Sequence, residues 1–208
     1  KFSMLFFRVT AQYKMSNALT LQPGIEVKRD ASSGQRIEGS PEITDYAFFA
    51  SAEIKPAAWV NIRPGARFSK SSVYDAPPVI PSIHTKFTLS KDFDLRLSYA
   101  RGFRAPALRE LYFYFFDASH SIKGNPNLKA AYSHSANASL SWQLPGLKAW
   151  QYTMTLSGFY NDFTDLIDIG YDAADPVVST YINVNKFRTT GGMLEHQLNW
   201  KALEAGIG

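Results

Sequence analysis

Along most of this chain apolar and polar residues alternate one for one, the signature of β-strands with one apolar and one polar face. From Met4 to Tyr13 the apolar set is Leu5, Phe7, Val9, Ala11 and Tyr13, set against Arg8, Thr10 and Gln12. The stretch Leu19 to Lys28 repeats the pattern, with Leu19, Leu21, Ile25 and Val27 opposing Thr20, Gln22, Glu26 and Lys28. Pro23-Gly24 interrupts it, and a bulge or local bend is expected there. A third strand is predicted over Ile43 to Lys55, followed by a short turn at Pro56-Ala57. The fourth, Ala58 to Ser69, is the cleanest: Val60, Ile62, Ala66 and Phe68 alternate with Asn61, Arg63, Gly65 and Arg67. Further strands are predicted over Ser82–Ser90, Phe93–Gly102, Ser133–Gln143, from Trp150 past Tyr160, and from Tyr181 to about Trp200. Gly191-Gly192 marks an expected bulge in the last of these. The count is nine strands and no helix.

The connections between these strands alternate in length. Short turns at Lys14–Asn17, Pro56-Ala57, Lys91-Asp92 and Leu144–Lys148 are separated by long loops at Asp30–Glu42, Lys70–Pro81, Gly102–Leu128 and about Asp168–Thr180. All short turns then lie at one end of the sheet and all long loops at the other. Outer-membrane β-barrels have this asymmetry. Most of the strands reach the roughly 9–11 residues that a tilted crossing needs, whereas strands of a soluble sandwich average about 5–6. Aromatics near strand ends (Tyr13, Tyr46, Trp59, Phe68, Tyr99, Trp142, Trp150, Tyr160, Trp200) suit the girdles at the two interfaces. The expected fold is an all-β, antiparallel, up-and-down transmembrane barrel, present in part. Glu26, Arg63, Arg67, Lys86 and Arg96 would line its lumen, and the apolar face would meet lipid.

Composition narrows the picture. The 208 residues are 45% apolar and 19% charged, with no cysteine and a net charge of +4. Basic residues never cluster beyond pairs such as Lys28-Arg29, so no nucleic-acid-binding stripe is expected. No run of about 18 apolar residues is present, so no transmembrane helix is predicted. No nucleophile–base pair, metal-ligand spacing or phosphate loop points to an enzyme, and the run Asp162, Asp165, Asp168 reads as turn chemistry. Residues 1–208 are expected to form a single barrel-wall domain.

The longest loop carries the chemistry. Tyr99 to Leu128 holds seven aromatic residues, too many for a solvated tail, so it should fold onto something. Pro106 ends a strand because proline cannot donate to the ladder. Asn125-Pro126-Asn127 sets a turn back to the sheet, and Arg104 is placed to pair with Glu110. At Phe103-Arg104-Ala105-Pro106 and Asn125-Pro126-Asn127-Leu128 the sequence resembles TonB-dependent outer-membrane receptors. Phe159-Tyr160-Asn161-Asp162 and Tyr181-Ile182-Asn183-Val184-Asn185-Lys186 agree with that family's C-terminal barrel pattern. The resemblance spans about Phe93 to Trp200; before that only the style of the strands matches.

The resemblance implies energised import of a scarce nutrient (haem, an iron chelate such as a siderophore, or cobalamin) across the outer membrane of a Gram-negative bacterium. It implies a 22-stranded barrel in outer-membrane lipid and a plug domain that reaches the TonB system. Neither the plug nor its TonB-contacting box lies in this chain, which is expected to be a piece of barrel wall with two open edges, prone to self-association. The alternative is a passive porin-like or adhesive barrel. The family's haem receptors carry a histidine between the two boxes, and His120 sits there; imidazole is an apt axial ligand for haem iron. Tyr112, Phe113 and Tyr114 would pack on a porphyrin face. Haem is then cargo, and no intrinsic cofactor or bound metal is expected. Leu111, Tyr112, Gly124 and Lys129 flank the boxes, which either build the loop or touch the ligand. His134 is expected to be structural, and His84 and His196 carry no signal.

Overall fold

The computed structural model describes residues 1–117, 119, 121–144 and 150–208, and within these the chain is one 13-stranded sheet with a single short helix. The long strands are β1 (Phe2–Thr10), β3 (Leu19–Ser32), β4 (Glu42–Ala57), β5 (Val60–Ser71), β6 (Ile80–Thr88), β7 (Phe93–Arg104), β10 (Ala131–Leu144), β11 (Trp150–Tyr171) and β12 (Ser179–Trp200). They pair antiparallel with their sequence neighbours, in the order of an up-and-down meander. These are the nine strands expected. A tenth wall strand, β13 (Leu203–Ile207), returns along the edge of β12. Its five residues, after a turn through Lys201 at φ 52°, are too few to show alternation. The two-residue β2 (Tyr13–Lys14) adds to β3.

Three local expectations are corrected. β3 runs through Pro23-Gly24 in unbroken register, Gln22 to Ser51 and Gly24 to Phe49. The glycine there leaves space, since a Cβ would lie 2.3 Å from the Phe49 ring. Gly191 does the same for Phe159, and β12 shows no shift at Gly191-Gly192. The irregularity in the first half of the sheet falls instead between Ile54 and Ala57. Pro56 has no N–H to give the ladder, and the turn itself lies at Ala58-Trp59.

The two faces differ as the alternation requires. One face, called inner here, carries Arg8, Glu26, Arg67, Arg63, Glu53, Lys86, Asp94 and Arg96. Glu26 accepts from Arg8 Nε at 2.8 Å and Arg67 Nη2 at 2.7 Å. Glu53 is shared by Asn61, Arg63 and Lys55 at 2.7, 2.8 and 3.2 Å, and Asp94 pairs with Lys86 at 2.9 Å. Each carboxylate thus holds more than one donor, which satisfies charge on a face that would otherwise carry it unpaired. The outer face exposes Ile25, Tyr46, Phe48, Phe68, Leu97, Leu156 and Tyr160. An apolar surface of this extent marks contact with another apolar phase or partner. At its ends aromatic rings pair across strands: Phe93 with Trp142, Trp59 with Phe87, Phe103 with Tyr132.

Candidate functional site

The buried apolar core is small and sits at the long-loop end. Ile43, Leu108, Leu111 and Leu128 form it, with Tyr74, Tyr112, Ile167 and Tyr181 packed around. Three of the four buried members come from residues 105–130, so this connection is a folded lid on the sheet. It begins where β7 stops at Arg104. Pro106, fully buried, precedes the one helix, α1 (Leu108–Tyr112), whose five residues are too few for a helical period to be read from sequence. A small hairpin follows, β8 (Tyr114–Phe116) and β9 (Ser121–Lys123), and β9 continues the sheet in parallel beside Ser179–Thr180 of β12.

Glu110 ties the two ends of the lid together. Its carboxylate accepts from Arg104 Nη2, the pairing expected from spacing, and from the Ala107 N–H at 2.8 Å. Its carbonyl accepts the Asn125 N–H at 2.8 Å. Gly124 lies against the end of α1, where a Cβ would come within 2.6 Å of the Leu111 carbonyl oxygen. Asn125 Nδ2 donates to the Tyr181 carbonyl at 2.9 Å, and its Oδ1 accepts from Asn127 N–H at 2.9 Å, closing the turn. Asn183 on β12 takes three backbone partners: it accepts from Lys129 N–H at 2.8 Å and donates to the carbonyls of Lys129 and Asp165 at 3.0 and 2.8 Å.

The other side of the lid crosses to the loop between β3 and β4. Phe113 bridges Ile37, Glu38 N–H donates to Tyr112 O and Tyr114 N–H to Arg36 O, both at 3.0 Å. The Tyr114 hydroxyl donates to Gln35 O, and the Arg36 guanidinium lies 3.9 Å from the Phe115 ring centre. Residues 105–130 therefore span the mouth of the sheet from its second long strand to its ninth. Burial, followed by the nearby charges of Tyr112 and Glu110, pushes the Tyr74 hydroxyl up to about 12.

Between lid and wall lies a cleft of about 690 Å³, bordered by Tyr112, Phe113, Tyr114, Phe116 and Tyr171, with Lys123, Glu38, Asp172, Asn125 and Asn127 as its polar lining. Its volume falls in the range of small-molecule sites, about 300–1,000 Å³. Aromatic faces suit a flat ligand, and Lys123, Glu38 and Asp172 at the rim can meet polar groups of either sign on its edge. Tyr112, Phe113 and Tyr114 are brought together here; Tyr112 also packs on the core, and Tyr114 also braces the lid. Arg104, Pro106 and Leu128 hold the lid, while Asn125, Pro126 and Asn127 both hold it and border the cleft. His120 lies outside the described residues. Sequence reasoning missed Lys123, Phe116 and Tyr171, which no motif marks, and gave no role to Asn183, which lies within the Tyr181–Lys186 match. His84 is on the inner face, and His134 and His196 are on the outer face, each sharing a hydrogen bond with a tyrosine hydroxyl, Tyr99 and Tyr152 respectively.

Comparison with known proteins places these features in context. The family model described as TonB dependent receptor-like, beta-barrel, matches residues 5–208, and so reaches well before Phe93, where the motif resemblance began. The hemoglobin and hemoglobin-haptoglobin-binding protein of Haemophilus ducreyi is 27% identical over 173 residues, covering 78% of this chain and 17% of that protein. Hemoglobin and hemoglobin-haptoglobin-binding protein C of Haemophilus influenzae is 33% identical over 92 residues, 41% of this chain and 8% of that protein. The chain thus spans less than a fifth of the curated relatives it matches. The siderophore receptor PirA of Pseudomonas aeruginosa has the same fold, with a TM-score of 0.73 at 17% identity over 99% of this chain and 44% of its own. The Serratia marcescens hemophore receptor HasR, solved with its hemophore HasA and heme, gives 0.73 at 16% identity over 97% and 39%.

Proposed function

We propose, on the premise that this chain belongs to the TonB-dependent receptor-like β-barrel family, that it is wall of an outer-membrane receptor importing a haem-carrying iron source. The observation that carries this reading is the aromatic cleft under a lid pinned across the sheet mouth, at the end bearing the long loops. The haemoglobin-binding relatives favour haem over a siderophore or cobalamin as cargo. In this reading residues 1–208 act as one domain of barrel wall in the outer membrane of a Gram-negative bacterium. The inner face, with its paired carboxylates and surplus cations, lines the lumen. A plug encoded elsewhere in the receptor contacts the TonB system.

Phe113, Tyr114 and Phe116 would stack on the macrocycle and Lys123 would meet a propionate, while His120, in the same loop, would offer an imidazole to the iron. The test is titration of the full-length receptor in detergent with haemin. Binding should weaken about tenfold or more in Phe113→Ala and Lys123→Gln, as loss of an aromatic contact or a charge-assisted bond of about 1.4 kcal/mol predicts. His120→Ala should change the haem absorption spectrum. Equal affinity in all variants, or saturable binding of a ferric chelate with none of haemin, would overturn the haem reading.

A further inference from the structure

On β7, β10, β11 and β12 the outer face carries a row of charge above an apolar run. His134 on β10 stands opposite Arg101 on β7 and opposite Asp162 on β11, and Asp162 stands opposite Arg188 on β12. Lys186 is one outward position further along β12. On each of these strands the row is the first charge above an uncharged outward run. On β11 that run is Trp150, Tyr152, Met154, Leu156, Gly158 and Tyr160; on β7 it is Phe93, Leu95, Leu97 and Tyr99; on β10 it is Trp142, Leu140, Ala138 and Ala136. On β12 it is Trp200, Leu198, His196, Leu194, Gly192 and Thr190, where His196 is hydrogen-bonded to Tyr152. From Trp150 to Tyr160 a strand rises about 34 Å at about 3.4 Å per residue. Tilted by about 35–45° it covers about 24–28 Å of membrane normal, the height of the apolar band of a barrel. On β11 and β12 the row therefore sits where headgroups of the leaflet on the long-loop side begin. The shorter runs on β7 and β10, about 20 Å of strand, set Arg101 and His134 lower on the wall.

Its charges are unbalanced. Lys186 and Arg188 share the single carboxylate Asp162, which holds Arg188 Nε at 3.3 Å and Lys186 Nζ at 3.9 Å. These are looser than the 2.7–2.9 Å contacts of Glu26 and Asp94 on the inner face. Arg101 stands beyond His134 from that carboxylate, its guanidinium 5.9 Å from the Tyr132 ring centre. Among the described residues, Asp162 Oδ1 and Arg101 Nε are buried without a hydrogen-bond partner. The Arg188 and Lys186 side chains are 54% and 58% exposed. The positions in register with this row on β6, β5 and β4 are Pro81, Ala66 and Ala50, all uncharged; the outward charges on that side, Lys70 and the Arg29–Glu42 pair, lie further towards the long loops.

We propose that Arg101, Lys186 and Arg188, with His134 beside them, dock the phosphate-bearing headgroup of a lipid of the outer leaflet. The inference rests on the reading that this wall crosses the outer membrane with its long loops outside. Guanidinium groups take phosphate in a planar, bidentate way. Tyr99 and Tyr160, one outward step below, lie where the acyl chains of that lipid begin. A lipid is favoured over free phosphate because the cations stand directly on an apolar band and not in a pocket.

The test uses the full-length receptor extracted from outer membranes in mild detergent, with phosphorylated lipid per polypeptide quantified by mass spectrometry. R101Q/K186Q/R188Q should retain at least tenfold less than wild type, and Lys70→Gln, an outward cation elsewhere, should retain as much as wild type. Equal retention by a triple variant that still fractionates with the outer membrane would overturn the lipid site and leave the receptor reading intact. A wild-type protein absent from that membrane would sink both. Should the triple variant not fold, delipidated wild type is given the purified lipid, the same lipid after phosphatase treatment, or inorganic phosphate. Stabilisation against heat by the intact lipid alone is expected. Equal stabilisation by the treated lipid, or by inorganic phosphate, would overturn the proposal.

Discussion

Leu111→Ala is the perturbation that separates lid from wall. Leu111 is 2% exposed and packs with Ile43, Leu108 and Leu128, the whole buried cluster at the mouth. Truncating a leucine at such a site removes its transfer free energy and leaves a cavity, together about 2–5 kcal/mol. The lid cannot easily collapse into the gap, because Glu110 and Asn125 fix the backbone on both sides of it. A cost of about 3 kcal/mol corresponds to a roughly hundredfold rise in the opening equilibrium of the lid. Hydrogen exchange on the full-length receptor reads this directly. The amides of Glu38, Tyr114, Gly124 and Asn125, all bonded across or within the lid, should exchange roughly a hundredfold faster. Wall amides of β10 and β11 should keep their rates, because ladder bonds on both sides hold them. Unchanged lid amides would refute the reasoning and transfer the work of holding the lid to its polar clamps. Equal acceleration in the wall would show that lid and wall do not open separately.

Three further outcomes follow from neighbouring contacts. Gly124→Ala forces a Cβ onto backbone atoms of Leu111 and Tyr112 at 2.6–2.8 Å; overpacking of this kind costs about 1–3 kcal/mol, and trypsin should cut after Lys123 faster than in wild type. Asn183→Ala strands the N–H and carbonyl of Lys129 and the carbonyl of Asp165, a loss of about 2 kcal/mol or more that should raise exchange at Lys129 while sparing Glu38. Tyr74, raised to about 12 by burial, keeps its proton in the folded mouth at pH values where an unfolded tyrosine loses it. Stability contributed there is present below pH 10 and lost as pH rises towards 12; a tyrosinate titration should show one late ionisation that Tyr74→Phe lacks.

Much of the wall was legible because strand side chains have a period of two and each face has one environment. Arg63, Arg67 and Glu26 could be assigned to one face from alternation alone, and the ladder puts them there. Glycine misled twice, because Gly24 and Gly191 in a strand signal either a bend or room for a ring. Which of these holds depends on Phe49 and Phe159, residues that only the register brings opposite. Pro56 marked a real irregularity and hid that the turn came two residues later. At the mouth, Arg104 and Glu110 were readable because both sit in one loop. Asn183 was not, since its partners at Lys129 are backbone atoms 54 residues away and leave no trace in composition. The cleft depends on the loop after β3 meeting the loop after β7. That pairing is set by the curvature of the whole sheet, and no window of sequence encodes it.

The most direct test of the account is accumulation of radiolabelled haem by iron-starved cells carrying the full-length receptor, with and without a functional TonB system. Haem should accumulate inside cells only when TonB is functional, with surface binding alone when it is removed. Accumulation at the same rate in both would contradict energised import and make this wall part of a passive pore.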